Sequence, residues 1–116
     1  MSVSMYHNPK CSKCRATLSL LQEKGIEPEL MLYLETAPSV TELEQLLKKL
    51  GKGPKDMIRF NDEIAKELGI VSTDDRSDSE WLEIISNNSK LLERPIVING
   101  DRAAIGRPPE NVLEIL

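Results

Sequence analysis

The sequence predicts an α/β fold: a mixed four-stranded sheet flanked by helices, with an all-helical block inserted into it. Three observations predict it. Extended run, helix and extended run follow one another from Ser2 to Leu34, the order of a βαβ unit whose strands are parallel and whose crossover is right-handed. The stretch 38–93 reads as helix after helix. The chain then returns to strand in a hairpin before a last helix.

Each element has a local reason. Ser2–Tyr6 is extended, with Val3 and Met5 on one face, and ends in the turn-forming His7-Asn8-Pro9. From Ser12 the period becomes helical: Cys14, Leu18 and Leu21 share a face, and Lys24-Gly25 stops the helix. Glu29–Leu34 reads as a largely buried second strand. Ser39-Val-Thr-Glu42 is a capping box opening a helix with Leu43, Leu46, Leu47 and Leu50 inward, closed by Gly51. Further helices are expected from Asn61 to Gly69 and from Asp78 to Ile85, with another turn at Ser89–Glu93. Pro95–Ile98 and Arg102–Ile105 form a hairpin connected through Asn99-Gly100-Asp101 with an Asn-Gly turn, and Pro108-Pro109 opens a last helix over Glu110–Leu116.

Composition narrows the function. The 116 residues make one domain, and splitting them would leave pieces too small to bury much core. Fifteen basic against nineteen acidic residues give a net charge of −4, which argues against nucleic acid or an anionic membrane as partner. The longest apolar run, Leu30–Leu34, falls far short of the roughly 20 residues that span a bilayer. The N-terminus shows no apolar signal segment, so a cytoplasmic location is expected. Cys11 and Cys14 are the whole cysteine supply, which excludes a disulfide scaffold. With His7 they supply three ligands where structural zinc wants four, and the carboxylates show no metal-ligand spacing. What is left is thiol chemistry.

Cys11 is placed to do it. It stands at the start of the first helix, where backbone amides favour an anion, so the thiolate gains over the thiol. Lys10, Lys13 and Arg15 add positive charge, residues 7–15 contain no carboxylate, and His7 is positioned to assist the same sulfur. Cys14, one turn on, falls on the apolar face. It is either a packed, inert thiol or a partner resolving a mixed disulfide. Of six arginines, Arg94 precedes the hairpin and Arg107 follows it, at the strand ends nearest the first helix. Two guanidinium forks there suit an oxyanion.

Several separated motifs together resemble a known family. Tyr6-His-Asn-Pro-Lys-Cys-Ser-Lys-Cys-Arg15, Arg59 between the helices, Leu92-Glu-Arg-Pro-Ile-Val97 and Gly106-Arg-Pro108 resemble the glutaredoxin-coupled arsenate reductases, in order from Val3 to Leu116. The resemblance implies a single domain over 1–116, with a thioredoxin-like core at 1–37 and 94–116 and a helical insertion at 38–93. It implies that Cys11 attacks arsenate, that His7 helps keep it ionised, and that Arg59, Arg94 and Arg107 hold the oxyanion. Glutathione and glutaredoxin supply the electrons, with no bound metal or organic cofactor, in a monomeric cytoplasmic enzyme of arsenic detoxification. A cis peptide at Arg94-Pro95 goes with such a fold. One position departs: the family usually has serine where this chain has Cys14. A C-x-x-C here also resembles the Spx-type regulators that bind RNA polymerase and sense oxidation, though these generally lack a Gly-Arg-Pro such as Gly106–Pro108. A general thiol–disulfide oxidoreductase is the third reading.

Overall fold

The structure is a computed structural model that describes residues 3–116. Ser2, at the start of the expected first strand, lies outside the described residues. The chain divides into two compact units. One comprises the chain up to Thr36 together with Arg94–Leu116, the other Ala37–Glu93.

In the first unit, strand β1 (Val3–Tyr6) leads into helix α1 (Ser12–Glu23) and then strand β2 (Glu29–Met31). Strands β3 (Ile96–Asn99) and β4 (Arg102–Ile105) complete a mixed sheet in the order β2-β1-β3-β4. β1 runs parallel to β2 and antiparallel to β3, and β3 and β4 are the two arms of the hairpin. Met5 pairs with both Leu30 and Val97, which aligns the apolar centres of three strands. Beneath the sheet, Met5, Cys11, Cys14, Leu21, Val97, Val112 and Ile115 form one buried cluster, so the first turn of α1 is held by the core itself. This is the thioredoxin-like arrangement: βαβ, then ββ and a closing helical segment.

Three expectations are corrected. The second strand is neither six residues long nor buried: β2 stops at Met31, and Leu30, Leu32 and Leu34 are 42%, 37% and 48% exposed. It lies at the sheet edge with one neighbour, which leaves Leu30 exposed and Met31 half-buried, and only Tyr33, in the turn that follows, is fully buried. The two-residue hairpin turn is Gly100-Asp101, with Gly100 at φ +61°. Asn99 instead ends β3, buried, its Nδ2 donating to the Ile115 carbonyl at 2.7 Å. The last helix is a 3₁₀ helix, Pro109–Ile115, in which Val112 and Ile115, three apart, share one buried face.

Gly106, just past β4, is required by close approach. A Cβ there would lie 2.8 Å from Pro95 Cγ and 2.8 Å from Thr17 Oγ1. Gly106→Ala is expected to destabilise the fold by about 1–3 kcal/mol through overpacking, read as a lower denaturant midpoint in equilibrium unfolding.

The second unit holds helices α2 (Val40–Leu50), α3 (Glu63–Leu68) and α4 (Asp78–Asn87), with 3₁₀ turns at Pro54–Met57 and Ser89–Leu91. The capping box at Ser39 is closed in both directions: Ser39 Oγ accepts from the Glu42 amide at 3.1 Å and Glu42 Oε1 from the Ser39 amide at 3.3 Å. α2 packs on α4, whose Trp81 is 1% exposed and meets Phe60 edge-on at 5.6 Å. The unit is not purely helical, because an antiparallel bridge joins Ile58 to Leu92. Among the described residues, no helix is long and apolar enough to cross a membrane.

Candidate active site

The loop between β1 and α1 is built by Asn8. Its carbonyl accepts from the Cys11 amide at 3.0 Å, and its side-chain Oδ1 accepts from the Lys10 amide at 3.1 Å. The turn delivers Cys11 as the N-cap of α1, in extended conformation at φ −91°, ψ 123°. No acidic residue stands in the helix's first turn, and Lys10, Lys13 and Arg15 all point to solvent. The Cys11 sulfur therefore meets free helix amides and no competing carboxylate.

Cys11 is 9% exposed, and burial by itself would raise its thiol. A hydrogen bond from Arg94 opposes this, and bonds from Cys14 and from the Lys13 amide add to it. Together they bring the thiol down from 9.0 to about 7. Cys14 goes the other way. Fully buried on the Leu21 face, it is pushed up to about 11, first by burial and then by the Cys11 thiolate beside it. The two thiols, two residues apart, are thus held in opposite states near neutral pH: Cys11 about half ionised, Cys14 protonated. Both cysteines are free.

Arg94 reaches this site because the hairpin is pinned on both sides of it. The Gly106 amide donates to the Pro95 carbonyl at 2.8 Å, and Arg107 Nε donates to the Arg94 carbonyl at 2.6 Å. Both Arg94-Pro95, as expected, and Arg107-Pro108 are cis peptides. Arg107, itself exposed, thus contacts the Arg94 backbone. Burial lowers the Arg94 guanidinium, and the Cys11 and Tyr33 side chains raise it by more, so it remains charged.

His7 is 5% exposed with its Nδ1 unpartnered, and burial lowers its pKa, so near neutral pH the ring is uncharged. The depression of Cys11 traces to Arg94 and the helix amides instead. Arg59 belongs to the second unit. Its amide donates to the Leu91 carbonyl at 2.8 Å, and its guanidinium pairs with Asp62 at 3.0 Å and Glu93 at 4.0 Å. Tyr33 was not among the residues singled out from the sequence, yet it interacts with Arg94 and both thiols. The alternation of Met31 and Tyr33 with three leucines was the signal for it, hidden inside an all-apolar run. Among the described residues, no group of three or more His, Cys, Asp or Glu is arranged to hold a metal.

The chain matches the model of the ArsC family over residues 6–115. It is 55% identical to an arsenate reductase of Haemophilus influenzae over 117 aligned residues, covering 100% of both chains. It is 44% identical to an arsenate reductase of Neisseria meningitidis, over 98% of this chain and 97% of that one. Among solved structures, an arsenate reductase from Vibrio cholerae superposes with a TM-score of 0.93 at 49% identity, covering 100% of this chain and 98% of the other.

Proposed function

The chain belongs to the ArsC family, and on that premise we propose that it reduces arsenate to arsenite through a covalent adduct on Cys11. The observation that carries the proposal is the pair of opposed thiols: Cys11 at about 7 with Arg94 on its sulfur, and Cys14 at about 11. Thiolate and arsenate are both anions, so their approach needs a fixed positive charge, which Arg94 supplies without reorganisation. The Cys11 sulfur bonds to As(V), and one arsenic–oxygen bond breaks, its oxygen leaving as water. A glutathione thiolate then forms a disulfide with that sulfur. The sulfur–arsenic bonding pair stays on arsenic, which leaves as As(III), and glutaredoxin reduces the mixed disulfide.

Arg94 and Arg107 serve the oxyanion in this reading, and the resemblance assigns Arg59 to it as well. His7, buried and uncharged, does not act as a cation in this reading. No bound cofactor enters the reaction, glutathione being a cosubstrate.

The test is arsenate-dependent NADPH consumption with glutathione, glutaredoxin and glutathione reductase present. A rate that depends on both arsenate and this protein is expected. Disulfide reduction without any arsenate-dependent rate would replace this reading with a general thiol–disulfide oxidoreductase. Cys14→Ser is expected to keep most of that rate, because a protonated, fully buried thiol is no ready nucleophile and a serine hydroxyl still donates to the Cys11 sulfur. Loss of the rate in a folded Cys14→Ser variant would make the dithiol the catalytic unit.

A further inference from the structure

A groove of about 260 Å³ opens beside the loop that delivers Cys11. One wall is that loop, with Pro9 and Lys10 exposed. The other is the turn after β2, with Leu32, Leu34 and Glu35 exposed. Backbone hydrogen bonds fix both walls. The His7 amide donates to the Met31 carbonyl at 3.0 Å and ties one wall to the other. The Glu35 amide donates to the Leu32 carbonyl at 2.9 Å, and the Lys10 amide to Asn8 Oδ1 at 3.1 Å. The groove is therefore preformed, as small-ligand sites usually are.

Its chemistry narrows the occupant. The apolar side chains of Pro9, Leu32 and Leu34 share the lining with one cation, Lys10, and one anion, Glu35. Among the described residues neither Lys10 nor Glu35 enters an ion pair. A matching ligand has opposite charges toward its two ends and a short, less polar stretch between them. Glutathione has that pattern: an ammonium on its γ-glutamyl end, a carboxylate on its glycine end, and the cysteinyl methylene between. Its net charge is negative, which suits Lys13 and Arg15, exposed on α1 with no acidic residue in the first turn. Lys10 and Cys11 are consecutive, with Cα atoms about 3.8 Å apart, so a thiol peptide held at Lys10 has its sulfur within reach of Cys11.

We propose that this groove seats glutathione, Lys10 pairing with its glycine carboxylate and Glu35 with its γ-glutamyl ammonium, so that its thiol meets Cys11. The proposal rests on the reading in which glutathione resolves the Cys11 adduct.

The first probe is S-methylglutathione, which keeps both charged ends and cannot exchange disulfides. Added to the folded protein, it is expected to shift the amide resonances of His7, Asn8, Lys10, Leu32, Leu34 and Glu35, and to saturate. Lys10→Glu and Glu35→Lys are each expected to weaken this binding by at least about threefold, the scale of an exposed ion pair lost and a like charge put in its place. The second probe is oxidised glutathione. The Cys11 thiolate bonds to one of its sulfurs, the old sulfur–sulfur bond breaks, and a glutathione thiolate leaves. Both variants are expected to slow this exchange about threefold relative to exchange with neutral hydroxyethyl disulfide, a ratio that cancels any change in the thiolate itself. Resonance shifts elsewhere, or none, would overturn the proposal, as would equal slowing with both disulfides. Shifts at these residues with glutaredoxin but not with S-methylglutathione would give the groove to a protein partner and overturn it too. No arsenate enters either measurement, so failure here is separate from failure of the reductase assay.

Discussion

Cys11→Ser abolishes arsenate-dependent turnover: the expected loss exceeds about a thousandfold in the coupled NADPH assay. A serine hydroxyl is not ionised near neutral pH, and its oxygen cannot form the disulfide through which two electrons reach arsenic. The loss is chemical rather than structural. Cys11 lies at the rim of the core cluster at 9% exposure, and the helix it caps is held by Cys14, Leu21 and their neighbours. The variant should therefore unfold in the same cooperative transition as the wild type, displaced by about 1 kcal/mol. Turnover surviving in a folded Cys11→Ser protein would remove Cys11 from the chemistry.

Arg94→Gln is expected to cost nearly as much, in two separable parts. The first is ionisation. With its principal opposing partner gone, the Cys11 thiol rises from about 7 toward its ordinary 9.0. At pH 7 the thiolate fraction then drops from about half toward a limit of about one part in a hundred, the bonds from Cys14 and the Lys13 amide remaining. The sign is fixed by the direction of the shift: raising the pH toward 9 restores the thiolate and recovers this part of the rate. The second part is the grip on the oxyanion, worth about a hundredfold or more for a preorganised donor. It is not recovered at any pH. A variant whose rate returns fully at high pH would show that Arg94 only activates the thiol. One whose pH profile matches wild type would show that it only binds the anion.

Much of this site is legible in the sequence because it is local. The N-cap position of Cys11, the absence of carboxylates around it and the helix face carrying Cys14 all follow from a dozen consecutive residues. So do the capping box at Ser39 and the hairpin around Gly100, where short-range chemistry decides the backbone. What escapes is set by neighbours distant in the chain. Leu30–Leu34 reads as buried on both faces, but burial depends on where the strand falls in the sheet, and β2 falls at an edge. Tyr33, just past β2, is buried and interacts with groups some sixty residues away, which its alternation with leucines cannot by itself reveal. The charge balance at Cys11 shifts for the same reason. Lys10, Lys13 and Arg15 supply nearby charge in sequence but project into water, where it is screened. Arg94, far off in sequence, brings one guanidinium to the sulfur. His7 reads as a helper by proximity, yet burial keeps its ring neutral. Arg59 is visible as an arginine between helices, but not its pairing with Asp62, the residue that also caps α3 by accepting from the Ile64 amide at 3.1 Å.

The central claim is that one of two neighbouring thiols is made a nucleophile and the other is kept inert. Alkylation followed at each cysteine by peptide mass spectrometry, on the folded wild-type protein across the pH range, tests it most directly. Cys11 should react first, with a midpoint near 7, while Cys14 remains unmodified until the pH approaches 11. A Cys11 midpoint near 9, or Cys14 reacting before Cys11, would contradict the claim.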